Sequence, residues 1–217
     1  MKAAVFHGVG DTKARRRRGA EHTGADGCDR SPHVRAICGT DLHMIRGTLS
    51  GMEPGGTILG HEGVGIVEEV GPQVRNLNVG DRVVVGSTVG CGYCMYCRAG
   101  YFAQCDNANP NGPQTGTAFF GGPQSTGPFD GVQAEYARIP FAAVTCVKLP
   151  EQVTEEQAIM TSDIWPTGWF GADIAGVSDG DSAAVFGCGP GGSVRHNERL
   201  CHGHQPNLRH RQGGVSP

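Results

Sequence analysis

Apolar and polar positions along this chain come in short alternating or continuous runs punctuated by glycine, the pattern of β-strands joined by tight turns. Residues 2–6, KAAVF, predict a short opening strand. Residues 58–71, ILGHEGVGIVEEVG, and 80–86, GDRVVVG, predict strands on either side of a turn region at 72–80. VQAEYARIPFAAVTCVKL, 132–149, predicts two more, broken at Pro140, which cannot donate to a ladder. After Pro150 the pattern turns helical, and Thr154 with Gln157 forms a capping box ahead of EEQAIM. SAAVFG, 182–187, predicts a short buried strand that runs into a glycine turn.

Three stretches break the pattern. Residues 91–131 form a long loop rich in Gly, Pro, Asn and Gln, and a loop of that length inside a compact domain needs a staple or a function. Residues 13–36, with Arg15 to Arg18 in a row, have neither strand nor helix periodicity; the tail 193–217 is similar and crowded with Arg and His. The 36 glycines in 217 residues exceed the usual share of roughly 7 % more than twofold, and they sit in turn-and-strand patterns rather than a low-complexity block. Net charge is −3, which argues against nucleic-acid binding by basic arms. There is no run of 18 apolar residues and no signal-peptide pattern at the start, so a cytoplasmic protein with reduced thiols and no membrane partner is expected.

The staple is written in the loop itself. Cys91, Cys94, Cys97 and Cys105 follow the spacing C-x2-C-x2-C-x7-C. Four thiolates so placed can close tetrahedrally around one zinc ion and leave no open position, which describes a structural site. The ferredoxin spacing ends differently, with x3-Cys-Pro, and disulfides would need an oxidising compartment.

Upstream lies CGTDLH, 38–43, and downstream GHEG, 60–63. Cys38 and His61 are chemically suited to an open, catalytic zinc site, although such a pair by itself carries little weight. CGTDLH, then GHEGVGIVEEVG, then VGDRVVV, then the four-cysteine lobe, in this order, resemble the zinc-dependent medium-chain alcohol dehydrogenases. SDIWPTGWFGA, 162–172, resembles most the glutathione-independent formaldehyde dehydrogenase branch. The resemblance implies a mainly β GroES-like catalytic domain with a zinc-binding lobe over 1–150, then the beginning of an α/β Rossmann domain over 151–192. It implies that Cys38, His61 and Asp163 bind a catalytic zinc and that Asp41 hydrogen-bonds the far nitrogen of His61. Glu62 would stand in or just behind the ligand shell, Thr40 would take the alcohol proton and pass it to His43, and Thr167 would lie beside the nicotinamide. The substrate implied is a small alcohol or a hydrated aldehyde, with NAD or NADP as hydride acceptor. Relatives in that family form homo-oligomers.

GCGPGG, 187–192, places Gly187, Gly189 and Gly192 as G-x-G-x-x-G after SAAVFG, the setting of a pyrophosphate-binding turn. The helix and the second strand that should follow have no counterpart in SVRHNERLCHGHQPNLRHRQGGVSP. We read 13–36 and 193–217 as aberrant, with the composition of out-of-frame GC-rich codons, and expect an open sheet edge at the first and disorder in the second. A truncated chain with impaired hydride transfer is the expectation; the alternative is a non-catalytic zinc-binding β-domain.

Overall fold

The computed structural model describes residues 1–16, 28–109, 111–112, 114, 116–178, 181–187 and 189–192, with backbone alone over 28–33. The tail 193–217, expected to be disordered, lies outside the described residues. Two compact units divide the chain, Met1–Ser162 and Asp163–Pro217.

The first unit is built on two antiparallel sheets. Strands β1 (Lys2–Gly8), β2 (Asp11–Arg16) and β4 (Thr57–Ile58) form a three-stranded sheet in the order β2-β1-β4. Strands β3 (Cys28–Arg35), β5 (Gly63–Val70), β6 (Arg82–Val85), β7 (Ala137–Ile139) and β8 (Cys146–Lys148) form the second, ordered β7-β3-β5-β6-β8. In β6 the run Val83, Val84 and Val85 is buried throughout, as a continuous apolar strand covered on both faces requires. Gly63 of β5 stands opposite Val85, and Val84 of β6 opposite Val147 of β8.

Of residues 13–36, 17–27 lie outside the described residues, and 13–16 and 28–35 form strand structure. β2 pairs with β1, for example Ala14 with Ala4, and stands at the edge of its sheet, whereas β3 leaves no open edge, lying between β5 and β7. Backbone hydrogen bonds make these pairings, and they do not need side-chain alternation. Pro32 of β3 lies at a register irregularity, where a residue without an N–H is tolerated.

The main core gathers Val67, Val83, Val85, Phe120, Val132 and Ile139, and three cysteines of the 91–105 lobe belong to the same cluster. Burial of each such Val or Phe is worth roughly 1.5–3 kcal/mol. A second cluster of Phe6, Met44 and Leu59 seats helix α1 (Gly39–Arg46) on β1. Helix α2 (Met95–Arg98) lies inside the cysteine lobe, and α3 (Ala142–Thr145) fills the gap between the two strands predicted over 132–149. The capping box forms as the sequence predicts: Gln157 N–H donates to Thr154 Oγ1 and Thr154 N–H to Gln157 Oε1, opening α4 (Glu155–Ala158). Ala158 and Ile159 then bury against Val64 and Val84.

The second unit holds α5 (Ile164–Ile174) and the glycine turn. SAAVFG is not a strand: residues 181–187 have no regular structure and Phe186 is 97 % exposed. A strand of a parallel sheet is held by its neighbours, and among the described residues of this unit there is none to pair with. No helix of the described residues is long and apolar enough to cross a membrane.

Candidate metal centres

The cysteine lobe closes on itself. Cys94 caps α2, its sulfur accepting the Cys97 amide, and left-handed Gly92 (φ 82°) turns the chain between Cys91 and Cys94. Other amides also aim at the sulfurs: Tyr93 and Cys94 donate to Cys91 Sγ, Cys91 and Ala108 to Cys105 Sγ. Asn107 adds a side-chain donor, its Nδ2 standing 3.2 Å from Cys91 Sγ. The four sulfurs lie within 4.8 Å of one another, with Cys91–Cys97 at 3.9 Å and Cys94–Cys105 at 4.0 Å. A tetrahedron with arms of 2.3 Å has edges of ~3.8 Å, so the cage has the size of a zinc tetrathiolate and is far too wide for disulfides. The Cys97 amide draws the Cys94 thiol down to about 6, while burial pushes Cys97 up to about 12. Thiols this close resist ionising together, and a divalent cation at their centre removes that conflict.

The other centre is assembled from separate segments. Cys38 is the N-cap of α1, and Asp41, at the third helical position, accepts the Cys38 amide on Oδ2 at 3.0 Å. His61 arrives from the link between β4 and β5, directly after left-handed Gly60 (φ 93°). It is 3 % exposed, with its ring edge-on to Phe119 and its Nδ1 3.3 Å from Asp41 Oδ1. A ring nitrogen of His61 and the Cys38 sulfur come within 4.8 Å. The hydrogen bond from His61 holds the Cys38 thiol below its ordinary value of 9.0, against the opposing effect of burial. A thiolate favoured by an imidazole, and an imidazole backed by a buried carboxylate, form a donor pair that suits a zinc ion.

The other expected residues are placed as follows. Glu62 is buried beside His61. Thr40 Oγ1 lies 3.7 Å from Cys38 Sγ. His43 is exposed and its Nδ1 pairs with Thr48 Oγ1 at 2.9 Å. In the second unit Asp163 caps α5, with its Oδ1 accepting the Thr167 hydroxyl at 2.9 Å. Gly187 is left-handed (φ 100°), and a side chain on Gly192 would collide with the Gly187 carbonyl, so the G-x-G-x-x-G turn is tight even without its strand. Gly189 has open space around it.

Sequence reasoning missed Gln133. Its Nε2 donates to Asp41 Oδ2 at 3.2 Å, across 92 residues of chain. A lone Gln in a strand-like run carries no spacing signal.

The alcohol dehydrogenase GroES-like domain family matches residues 32–151. A zinc-type alcohol dehydrogenase-like protein of Bacillus subtilis, AdhB, is 45 % identical over 159 residues, which cover 72 % of this chain and 41 % of that protein. A glutathione-independent formaldehyde dehydrogenase of Pseudomonas aeruginosa is 39 % identical over 160 residues, again 72 % of this chain and 39 % of that one. Among solved structures, alcohol dehydrogenase TADH from Thermus sp. ATN1 superimposes with a TM-score of 0.82 at 33 % identity, over 93 % of this chain and 55 % of that one. The chain spans about half the length of the relatives it matches or less.

Proposed function

Because the chain belongs to the alcohol dehydrogenase GroES-like domain family, we propose that it supplies the zinc-holding part of an oxidoreductase that moves a hydride between a small alcohol, or a hydrated aldehyde, and NAD or NADP. The observation that carries this reading is the linked set Cys38, Asp41 and His61: a thiol drawn toward thiolate by an imidazole, which is itself backed by a buried carboxylate. A zinc ion held there supplies a Lewis acid that makes a substrate oxygen easier to deprotonate.

This chain's own residues divide the rest of the work. Cys38 and His61 are two ligands and Asp163 the third. Glu62, buried next to His61, stands just behind the ligands. Thr40 takes the alcohol proton, and the exposed His43 hands it to solvent. When a nicotinamide cofactor binds, Thr167 would contact its nicotinamide and the turn at Gly187, Gly189 and Gly192 would hold its pyrophosphate. Cys91, Cys94, Cys97 and Cys105 hold a second zinc that only fixes the lobe. The cysteines at these four positions and at Cys38 and Cys146 are not joined by disulfides, which fits a reducing, cytoplasmic setting.

A second reading, a zinc-binding β-domain without a working cofactor site, draws on the lack of a strand at 181–187 and the exposure of Phe186. Calorimetric titration of the zinc-loaded chain with NADH and NADPH separates the two. Saturable nucleotide binding together with aldehyde-dependent NAD(P)H oxidation, with the oxidation alone lost in His61→Ala, supports the oxidoreductase. Zinc binding without nucleotide binding supports the β-domain.

A further inference from the structure

Asp41 is 1 % exposed, and a carboxylate so deeply buried requires donors. Its Oδ1 faces His61 Nδ1, and its Oδ2 accepts the Cys38 amide from the helix cap. The last torsion of an aspartate is broad and soft, so donors from one short segment and one ring leave the carboxylate plane free to rock. Gln133 removes that freedom from a third direction. Because a carboxylate only accepts, the Gln133 group facing it at 3.2 Å is the NH2 end.

Gln133 is itself held firmly. Gly131, Val132 and Gln133 donate their amides to Ile58, Gly60 and Leu59, and the Gln133 carbonyl accepts from Ala4. Its side chain passes over the bare Cα of Gly60, where a Cβ would collide with Gln133 Cγ. The segment that delivers His61 is therefore laced, backbone to backbone, to the residue that steadies the partner of His61.

We propose that Gln133 is a positioning residue for the assembled metal centre: its carboxamide fixes the Asp41 carboxylate, and through it the direction in which the His61 ring presents its other nitrogen toward Cys38. The inference rests on the reading of Cys38 and His61 as metal ligands given above. It reaches beyond that reading by assigning work to a residue that never touches the ion.

The test uses the full chain with zinc in the cysteine lobe and titrates Co²⁺ into the assembled centre, following the thiolate-to-cobalt charge-transfer band and the visible bands that report coordination geometry. Gln133→Met is expected to weaken Co²⁺ binding about tenfold, the low end for groups outside the ligand shell, and to alter the visible bands. Gln133→Glu, equal in length but carboxylate against carboxylate, is expected to weaken it further. In an Asp41→Asn background, Gln133→Met should add nothing, because its effect travels through Asp41. One zinc retained per lobe in every variant shows that the fold is intact. Unchanged Co²⁺ affinity and spectrum in both Gln133 variants, or an equal loss with and without Asp41, overturns the role of Gln133 while leaving the metal centre standing. Absence of any cobalt–thiolate band beyond the lobe in the unaltered chain overturns both readings.

Discussion

The cysteine lobe and the proposed Cys38–His61 centre offer the same kind of ligand chemistry and are put together in opposite ways. Every ligand of the lobe comes from the stretch 91–105, the amides that support them come from 91–108, and the sulfurs form a closed cage. The other centre takes Cys38 from a helix cap and His61 from a link between two sheets, with support from Asp41 and, 92 residues away, Gln133. A local site depends on its own turn geometry. An assembled site depends on the whole β-domain being folded, and that dependence leaves room for an open position where chemistry can occur.

The largest break in this contrast is Cys97→Ser. Small structural zinc sites contribute ~10–16 kcal/mol of apparent binding free energy, of the same order as the whole stability of a domain. Because Cys91, Cys97 and Cys105 also sit in the main core, losing the ion should open residues 91–131 to proteolysis and lower the melting temperature sharply. His61→Ala is expected to be milder for the fold: metal content falls by one ion per chain, while the lobe keeps its zinc and its resistance to protease. A variant that loses both ions together would show that the two regions are not independent.

His61→Ala also sharpens the comparison through pH. The Cys38 thiol in the metal-free chain has a pKa below 9.0, the first cause being its hydrogen bond with His61. A depressed pKa stabilises the folded state fully above the unfolded value of 9.0, and this contribution disappears as pH falls through the folded value. Replacing His61 returns Cys38 toward 9.0, so iodoacetamide labelling of Cys38 between those two values should slow several-fold. Labelling of Cys38 that is unchanged by the substitution would remove the coupling. The smallest expected effect comes from an ion pair that belongs to neither centre, Lys148 Nζ to Asp81 Oδ2 at 2.8 Å. Its hydrogen bond lowers the Asp81 pKa, so Lys148→Ala should cost at most about 1 kcal/mol near neutral pH. That cost should vanish as the carboxylate protonates in acid, and neither metal site should change.

The same local-versus-assembled difference governs what the sequence makes legible. The lobe can be read from four spacings, since its geometry is built within fifteen residues. The Thr154–Gln157 cap and the buried valines of β6 are local too, and they form where the sequence puts them. Cys38 and His61 gain meaning only from the ordered motifs around them. Gln133 is silent, because nothing near it in the sequence announces Asp41. The failures divide: β2 lacks alternation and is held by a tight hairpin with β1, β3 lacks it and is held by ladders with the distant β5 and β7, whereas SAAVFG has strand composition and, among the described residues, no ladder to join.

The most direct test of two centres with unlike construction is elemental zinc analysis during stepwise removal by a chelator. The account predicts two zinc ions per folded chain, released in two phases: a faster one absent from His61→Ala, and a slower one accompanied by loss of structure in the lobe. A single ion per chain, or one phase that His61→Ala leaves untouched, would contradict it.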